Sequence, residues 1–236
     1  RRLKLLRAPL VFATLAACAA PRPAADERFP LLNPLLRENP DLKLAELHPF
    51  TYKINALIEE RKKKGDVVHA AVYFRDLENG PLRGVSFDDK FSPASLLKVP
   101  LLIAALRSAE KDPSFLSRVV RVDIPFRGQA YLSERAIVPG QDYTLEEVVR
   151  ALAIHSDNDA YMLLKQHVPQ TEQDAVYRDF GLVIHDVRSL DDSMSVREYA
   201  TFFRVLYNAS YLGREMSQKA LSLLAGSSYQ DGLVAG

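Results

Sequence analysis

The amino-acid sequence predicts an α+β fold, an antiparallel sheet packed with helices plus a mostly helical lobe. Three patterns point there. A helix-spaced stretch at 48–64 leads into two strand-like stretches separated by a turn signal. A nearly continuous apolar run at 96–106 marks a helix buried on every side. From 144 onward, capping signals and helical spacing recur as far as 226. Hydrophobic residues make up 47% of the 236-residue chain and charged residues 26%, a globular composition that holds one sizeable domain. The net charge of +1 offers no field for nucleic acid, and none is expected as a partner. A single cysteine excludes an intrachain disulfide and a cysteine-rich metal site.

The first residues read as an address. Arg1, Arg2, Lys4 and Arg7 precede an apolar run from Ala8 to Ala17. That run is shorter than the about 20 residues a bilayer span needs. A basic start, a short apolar stretch and small residues make a secretory signal over 1–17. It ends Leu15-Ala16-Ala17-Cys18, which resembles the bacterial lipoprotein processing site. The resemblance implies diacylglycerol on Cys18, hence an exported chain held on the bacterial membrane and facing the periplasm or extracytoplasmic space. A plain signal peptide with an incidental cysteine is the other reading. Prolines 21, 23, 30, 34 and 40 then suggest a stiff, extended tether over 18–45, although Leu31 to Leu47 have apolar residues to pack.

The folded domain is expected over 46–236. His48 to Lys64 is a helix with Phe50, Ile54, Leu57 and Ile58 on one side, ended by Gly65. Its terminal run Arg61-Lys62-Lys63-Lys64 suits a helix C-terminus and needs no ligand. Strands are expected over Val67–Leu77 and Leu82–Phe87, joined by Glu78-Asn79-Gly80-Pro81. Leu96 to Leu106 is the buried helix, with Pro100 early enough to be tolerated. Thr144 and Glu147 form one capping box. Ser195 and Glu198 form another, with Met194 and Tyr199 as staple. Helices follow both boxes, and others are expected over Ala160–Val168 and Ser217–Leu224. No strand is expected from 95 to 226.

Two short strings carry chemistry. In Ser95-Leu96-Leu97-Lys98 the hydroxyl and the amine fall on one helix face, three residues apart. Serine is a weak nucleophile until a base takes its proton. A lysine among Leu and Val loses solvation, which favours its neutral, basic form. The helix N-terminus adds a backbone N–H where an oxyanion would develop. A second copy, Ser108-Ala109-Glu110-Lys111, sits at a polar helix end and reads as solvated surface. The other string is Ser156-Asp157-Asn158, where Ser156 either caps the helix that follows or belongs to a site.

The two strings stand 61 positions apart with helical sequence between them. From about His48 to Gly236 the chain resembles the class A β-lactamases and the related penicillin-binding peptidases, whose motif set includes S-x-x-K and S-D-N. The resemblance implies that Ser95 is the nucleophile, Lys98 its base, and Ser156 the relay to the leaving nitrogen. Asn158 would hold the substrate's side-chain amide and Lys98. Asp157 would be structural, and Tyr131, 25 residues before Ser156, is either an aromatic wall of the cleft or an ordinary half-buried tyrosine.

The third motif of the set, Lys-Thr-Gly or a relative, is not in the sequence. The resemblance places it on a strand after Gly236, so C-terminal strands are expected to follow. The Glu-x-x-Leu-Asn string that carries the deacylating glutamate of class A enzymes is also missing. Glu172, Asp174, Asp179, Asp186, Asp191 and Asp192 occupy the stretch between Gln166 and Ser195, which reads as a short loop. His69, His155, His167 and His185 have no metal-ligand spacing, and neither metal nor cofactor is expected. Three activities remain open: hydrolysis of β-lactams, a D-Ala-D-Ala peptidase on peptidoglycan peptides, and a non-catalytic lipoprotein that binds the wall. A monomer is expected.

Overall fold

The computed structural model describes residues 27–33, 48–77, 82–123, 136–184 and 193–229. Helix α1 spans His48–Lys64. Phe50, Ile54 and Ile58 are half-buried at four-residue spacing, and the Phe50 ring sits 5.0 Å from that of Phe74. Leu57, expected in the same stripe, is 48% exposed because it falls a quarter-turn off that line. The terminal cations are occupied locally: Lys62 with Glu59, Lys64 with Glu60, and Arg61 with Asp66. Gly65 ends the helix at φ +79°, a backbone shape that costs glycine nothing.

Strands β1 (Val72–Arg75) and β2 (Leu82–Val85) pair antiparallel, Val72 opposite Val85 and Arg75 opposite Leu82. The expected turn at 78–81 lies outside the described residues. Both strands are shorter than the sequence suggested. Val68 is 94% exposed and His69 turns aside to Asp89 and the Phe91 ring, so the ladder begins only at Val72. Gly84 lets the strands close up: a Cβ there would stand 2.2 Å from the Val72 carbonyl oxygen.

The core is built on one helix. A 3₁₀ turn over Ala94–Leu97 runs directly into α2, Lys98–Lys111. Leu102, Ile103, Ala104, Ala105 and Leu106 are fully buried, as an all-round apolar helix requires. Pro100 falls in the first turn, where no intrahelical donor is missed. Packed against α2 are α3 (Leu145–His155), α4 (Asn158–His167), α5 (Gln170–Asp179) and α7 (Arg214–Ala225). Helix α6, Val196–Tyr207, packs on α7 and β1 and brings Phe202 into the core. Both capping boxes form: Thr144 with Glu147 at α3, and Ser195 with Glu198 at α6.

Four features depart from the sequence reading. Short strands do occur after residue 95: β4 (Val119–Arg121) pairs with β5 (Asp142–Thr144), and β6 (Met194–Ser195) pairs with β3 (Lys90–Phe91). Each is two or three residues long, too short to show alternation. Second, α5 replaces part of the expected loop. Val176 and Tyr177 bury there, and the Gln173 amide donates to Lys165 O and Val168 O, closing the α4–α5 turn. Third, Ser108 is buried, its hydroxyl donating to Ala104 O at 2.9 Å, because the apolar environment of α2 extends further than its composition implied. Fourth, part of the expected tether folds back: Leu32 is buried and the Asn33 N–H donates to Tyr207 O. Among the described residues no helix is long and apolar enough to cross a membrane.

Leu102 sits at the centre of this packing. Leu102→Ala is expected to cost about 2–5 kcal/mol, read as a lowered urea midpoint at unchanged slope.

Candidate active site

The start of α2 is set by two adjacent constraints. Ala94 is held at φ +45°, a left-handed shape that a side chain disfavours. Ser95 follows in the 3₁₀ turn, exposed to solvent, while Leu97 turns into the core and Lys98 is only 7% exposed. Ser95 belongs to the first turn, whose N–H groups have no intrahelical acceptor, so its own N–H is placed to meet an oxyanion.

The second wall is the junction of α3 and α4. Ser156 ends α3 at φ +52°, with its N–H donating to Ala151 O. Capping of α4 falls to Asp157, not Ser156. Asp157 is 3% exposed; one carboxylate oxygen accepts from Ala160 N–H at 2.9 Å and the other from Ala136 N–H at 3.0 Å. The Ser156 hydroxyl is therefore spared for other partners. Asn158 is the first residue of α4.

The Lys98 amine joins the two walls. Its Nζ lies 3.2 Å from Ser95 Oγ, 3.1 Å from Ser156 Oγ and 2.7 Å from Asn158 Oδ1. All four residues that the two strings supplied thus meet at one point. Burial holds the Lys98 pKa below that of an ordinary lysine, and the Asp157 charge opposes part of that shift. A neutral amine has two N–H groups and one lone pair. It can donate to Asn158 and Ser156 and still accept the Ser95 O–H. With Oδ1 turned to Lys98, the Asn158 amide N–H₂ remains to bind a substrate carbonyl.

The other residues singled out in the sequence stand elsewhere. Tyr131, Cys18, His185, Asp186, Asp191 and Asp192 lie outside the described residues. Three acidic residues of the expected loop are on α5 and engaged there. Glu172 bonds Arg107 and Lys111, Asp179 bonds Arg107 and the Tyr211 hydroxyl, and Asp174 accepts from Gln170. His69 pairs with Asp89 and His167 Nδ1 lies 2.8 Å from Leu163 O. Among the described residues no group of His, Cys, Asp and Glu is arranged to hold a metal ion. Two features of the site had no signal in the sequence. One is the strain at Ala94. The other is the tie from Asp157 to Ala136, which crosses 21 positions.

Residues 49–236 match the family model described as the β-lactamase enzyme family. The chain belongs to that family. Its fold is also similar to that of solved structures. PBP-A superposes with a TM-score of 0.65 at 20% identity over 80% of this chain and 72% of that one. A PBP-A mutant solved as an acyl-enzyme complex with penicillin G gives 0.62 at 18% identity, covering 78% and 71%. A β-lactamase from Sphaerobacter thermophilus gives 0.63 at 21% identity, covering 75% and 69%. No curated protein matches significantly in sequence.

The pH response of this site follows from Lys98. Its amine becomes basic as pH rises through a value below that of an ordinary lysine, so acylation of Ser95 should rise along the same limb. The Asp157 charge raises that value. Asp157→Asn should therefore move the limb to lower pH, measured as acylation rate against pH. The same change sets an amide N–H₂ against a backbone donor and should cost about 1–3 kcal/mol of stability.

Proposed function

We propose that this chain is a serine hydrolase of the class A β-lactamase type that forms an acyl-enzyme on Ser95 with β-lactams. The observation that carries the reading is the contact of one desolvated amine with Ser95, Ser156 and Asn158. Neutral Lys98 takes the Ser95 proton as Oγ attacks the lactam carbonyl. The oxygen that gains charge faces the Ser95 N–H. The C–N bond then breaks, and the proton passes from Lys98 through the Ser156 hydroxyl to the leaving nitrogen. Asn158 orients the substrate through its side-chain amide. Lys98 is neutral again at the end of this half-reaction and stands next to the ester. It can take a proton from water as that water attacks the ester carbonyl, and return it to Ser95 Oγ as the acyl C–O bond breaks, which frees the serine and the product acid.

A second reading is a penicillin-binding peptidase that cleaves D-Ala-D-Ala ends of peptidoglycan peptides with the same residues. It is favoured by the missing Glu-x-x-Leu-Asn string and by the engagement of Glu172 and Asp179 with α2 and the α6–α7 loop. We also propose that the chain is exported and anchored through a lipid on Cys18, which rests on the string Leu15-Ala16-Ala17-Cys18.

A labelled penicillin tests the reading. An adduct on Ser95, found by mass spectrometry, is expected. Ser95→Ala should abolish it, and Ser108→Ala should leave it in place. Lys98→Ala should slow acylation by about a hundredfold to ten-thousandfold. Loss of the adduct within seconds identifies a β-lactamase and a persistent adduct the peptidase. No adduct at all would leave a non-catalytic wall-binding protein.

A further inference from the structure

Residues 29–33 are folded by one internal backbone bond and seated on the domain by two backbone donors. The Leu32 N–H donates to Phe29 O at 3.1 Å and closes a turn, which buries the Leu32 side chain. The Asn33 N–H donates to Tyr207 O at 2.7 Å. Tyr207 ends α6, where the last carbonyls have no intrahelical donor, so this bond fills a vacancy in the helix. The Leu31 N–H donates to Gln218 Oε1 on α7 at 3.0 Å. Five residues thus grip the end of α6 and the second turn of α7.

That grip is far from the catalytic cluster. The α6–α7 loop lies on the last turns of α2: the Gly213 N–H donates to Glu110 Oε1 at 2.6 Å, and the Arg107 guanidinium stands 4.6 Å from the Tyr211 ring centroid. Lys98 opens the same helix. At 1.5 Å per residue, Lys98 and Glu110 are about 18 Å apart along α2. The strap and the Ser95–Lys98–Ser156 cluster therefore occupy opposite ends of that helix.

We propose that residues 29–33 are a strap that turns the α6–α7 end of the domain toward the lipid bilayer and presents the cleft away from it. The proposal rests on the lipid anchor at Cys18 argued above. Eight residues separate Cys18 from Glu27. Even fully extended, that stretch reaches about 30 Å, whereas a tether running to residue 45 would reach about 90 Å. A domain of this length has a radius of gyration of about 16 Å, so it is about 40 Å across. The leash is shorter than the body it holds, and its attachment point is the end that stays near the membrane. The cleft then meets substrates arriving from the aqueous side, within a shell about 70 Å deep.

The chain's one cysteine is Cys18, so with that thiol lipidated a single introduced cysteine takes a dye cleanly. One donor goes at Glu215→Cys, exposed on the first turn of α7. The other goes at Val183→Cys, which is 75% exposed and adjoins Ile184, a residue lining one cavity with Leu97 and Pro100 at the front of α2. The full-length lipidated protein is placed in phosphatidylethanolamine–phosphatidylglycerol vesicles carrying an acceptor lipid. Energy transfer from position 215 is expected to exceed that from 183. The pair Leu32→Asp and Asn33→Pro removes the buried leucine and the donor to Tyr207, and should abolish the difference. Penicillin labelling of Ser95 in the strap variant reports that the domain is still folded. Equal transfer from both positions, or a difference that survives the strap substitutions, overturns the proposal. Mass spectrometry of the processed N-terminus separates the two layers. An unlipidated Cys18 fails the anchor and the orientation with it, whereas a lipidated chain without orientation fails the strap alone.

Discussion

A lysine amine taken out of water must find polar partners, and Lys98 finds them on both sides of a groove. Ser95 stands one turn back along its own helix, and Ser156 and Asn158 stand on the junction of two others. An unpartnered buried ammonium would cost several kcal/mol. The contact therefore ties the start of α2 to the α3–α4 junction. The burial that makes the amine need partners also lowers its pKa and so favours the neutral form, whose lone pair can accept a proton. Structure and chemistry here depend on one desolvated group.

The walls of the groove are held in shapes that the chain would not adopt unaided. Ala94 and Ser156 both have positive φ, and each such residue costs of order 1–3 kcal/mol. The core beneath them offsets this. A single buried leucine of α2 is worth about 2–5 kcal/mol against alanine, and α2 carries three fully buried large side chains between 102 and 106. Asp157 adds a local clamp: it caps α4 and fastens Ala136, so the strained Ser156 turn is gripped from two directions. Rigidity behind the site lets strain persist within it.

The Lys98 cluster and the stretch that follows it stand differently against the family pattern. Members of the β-lactamase enzyme family share this fold with the chain at about one-fifth identity. The stretch after the second string has no Glu-x-x-Leu-Asn and carries α5. Its carboxylates on α5 are spent on cations and a phenol at the α2–α5 and α6–α7 contacts, and they stabilise the helical lobe. Near the same α6–α7 loop, the Asn33 N–H fills a free carbonyl in the last turn of α6.

Much of this was legible from sequence alone. Residue spacing determined α1, the burial of α2, both capping boxes, and the pairing of Ser95 with Lys98, because each depends on neighbours within one or two helical turns. The helix α5 was legible in principle, since Gln173, Val176, Tyr177 and Phe180 form a stripe after Pro169, although its many carboxylates and amides give it the composition of a loop. The ladders β3–β6 and β4–β5 were not, because two or three residues carry no period and their partners lie far off in the chain. Nor could the sequence decide whether Ser156 or its neighbour caps α4. That choice was made by Asp157, which takes the cap because its carboxylate reaches both Ala160 and the distant Ala136. Local spacing thus set which groups could face each other, and only long-range packing decided that a hydroxyl 58 positions away would complete the coordination of the Lys98 amine.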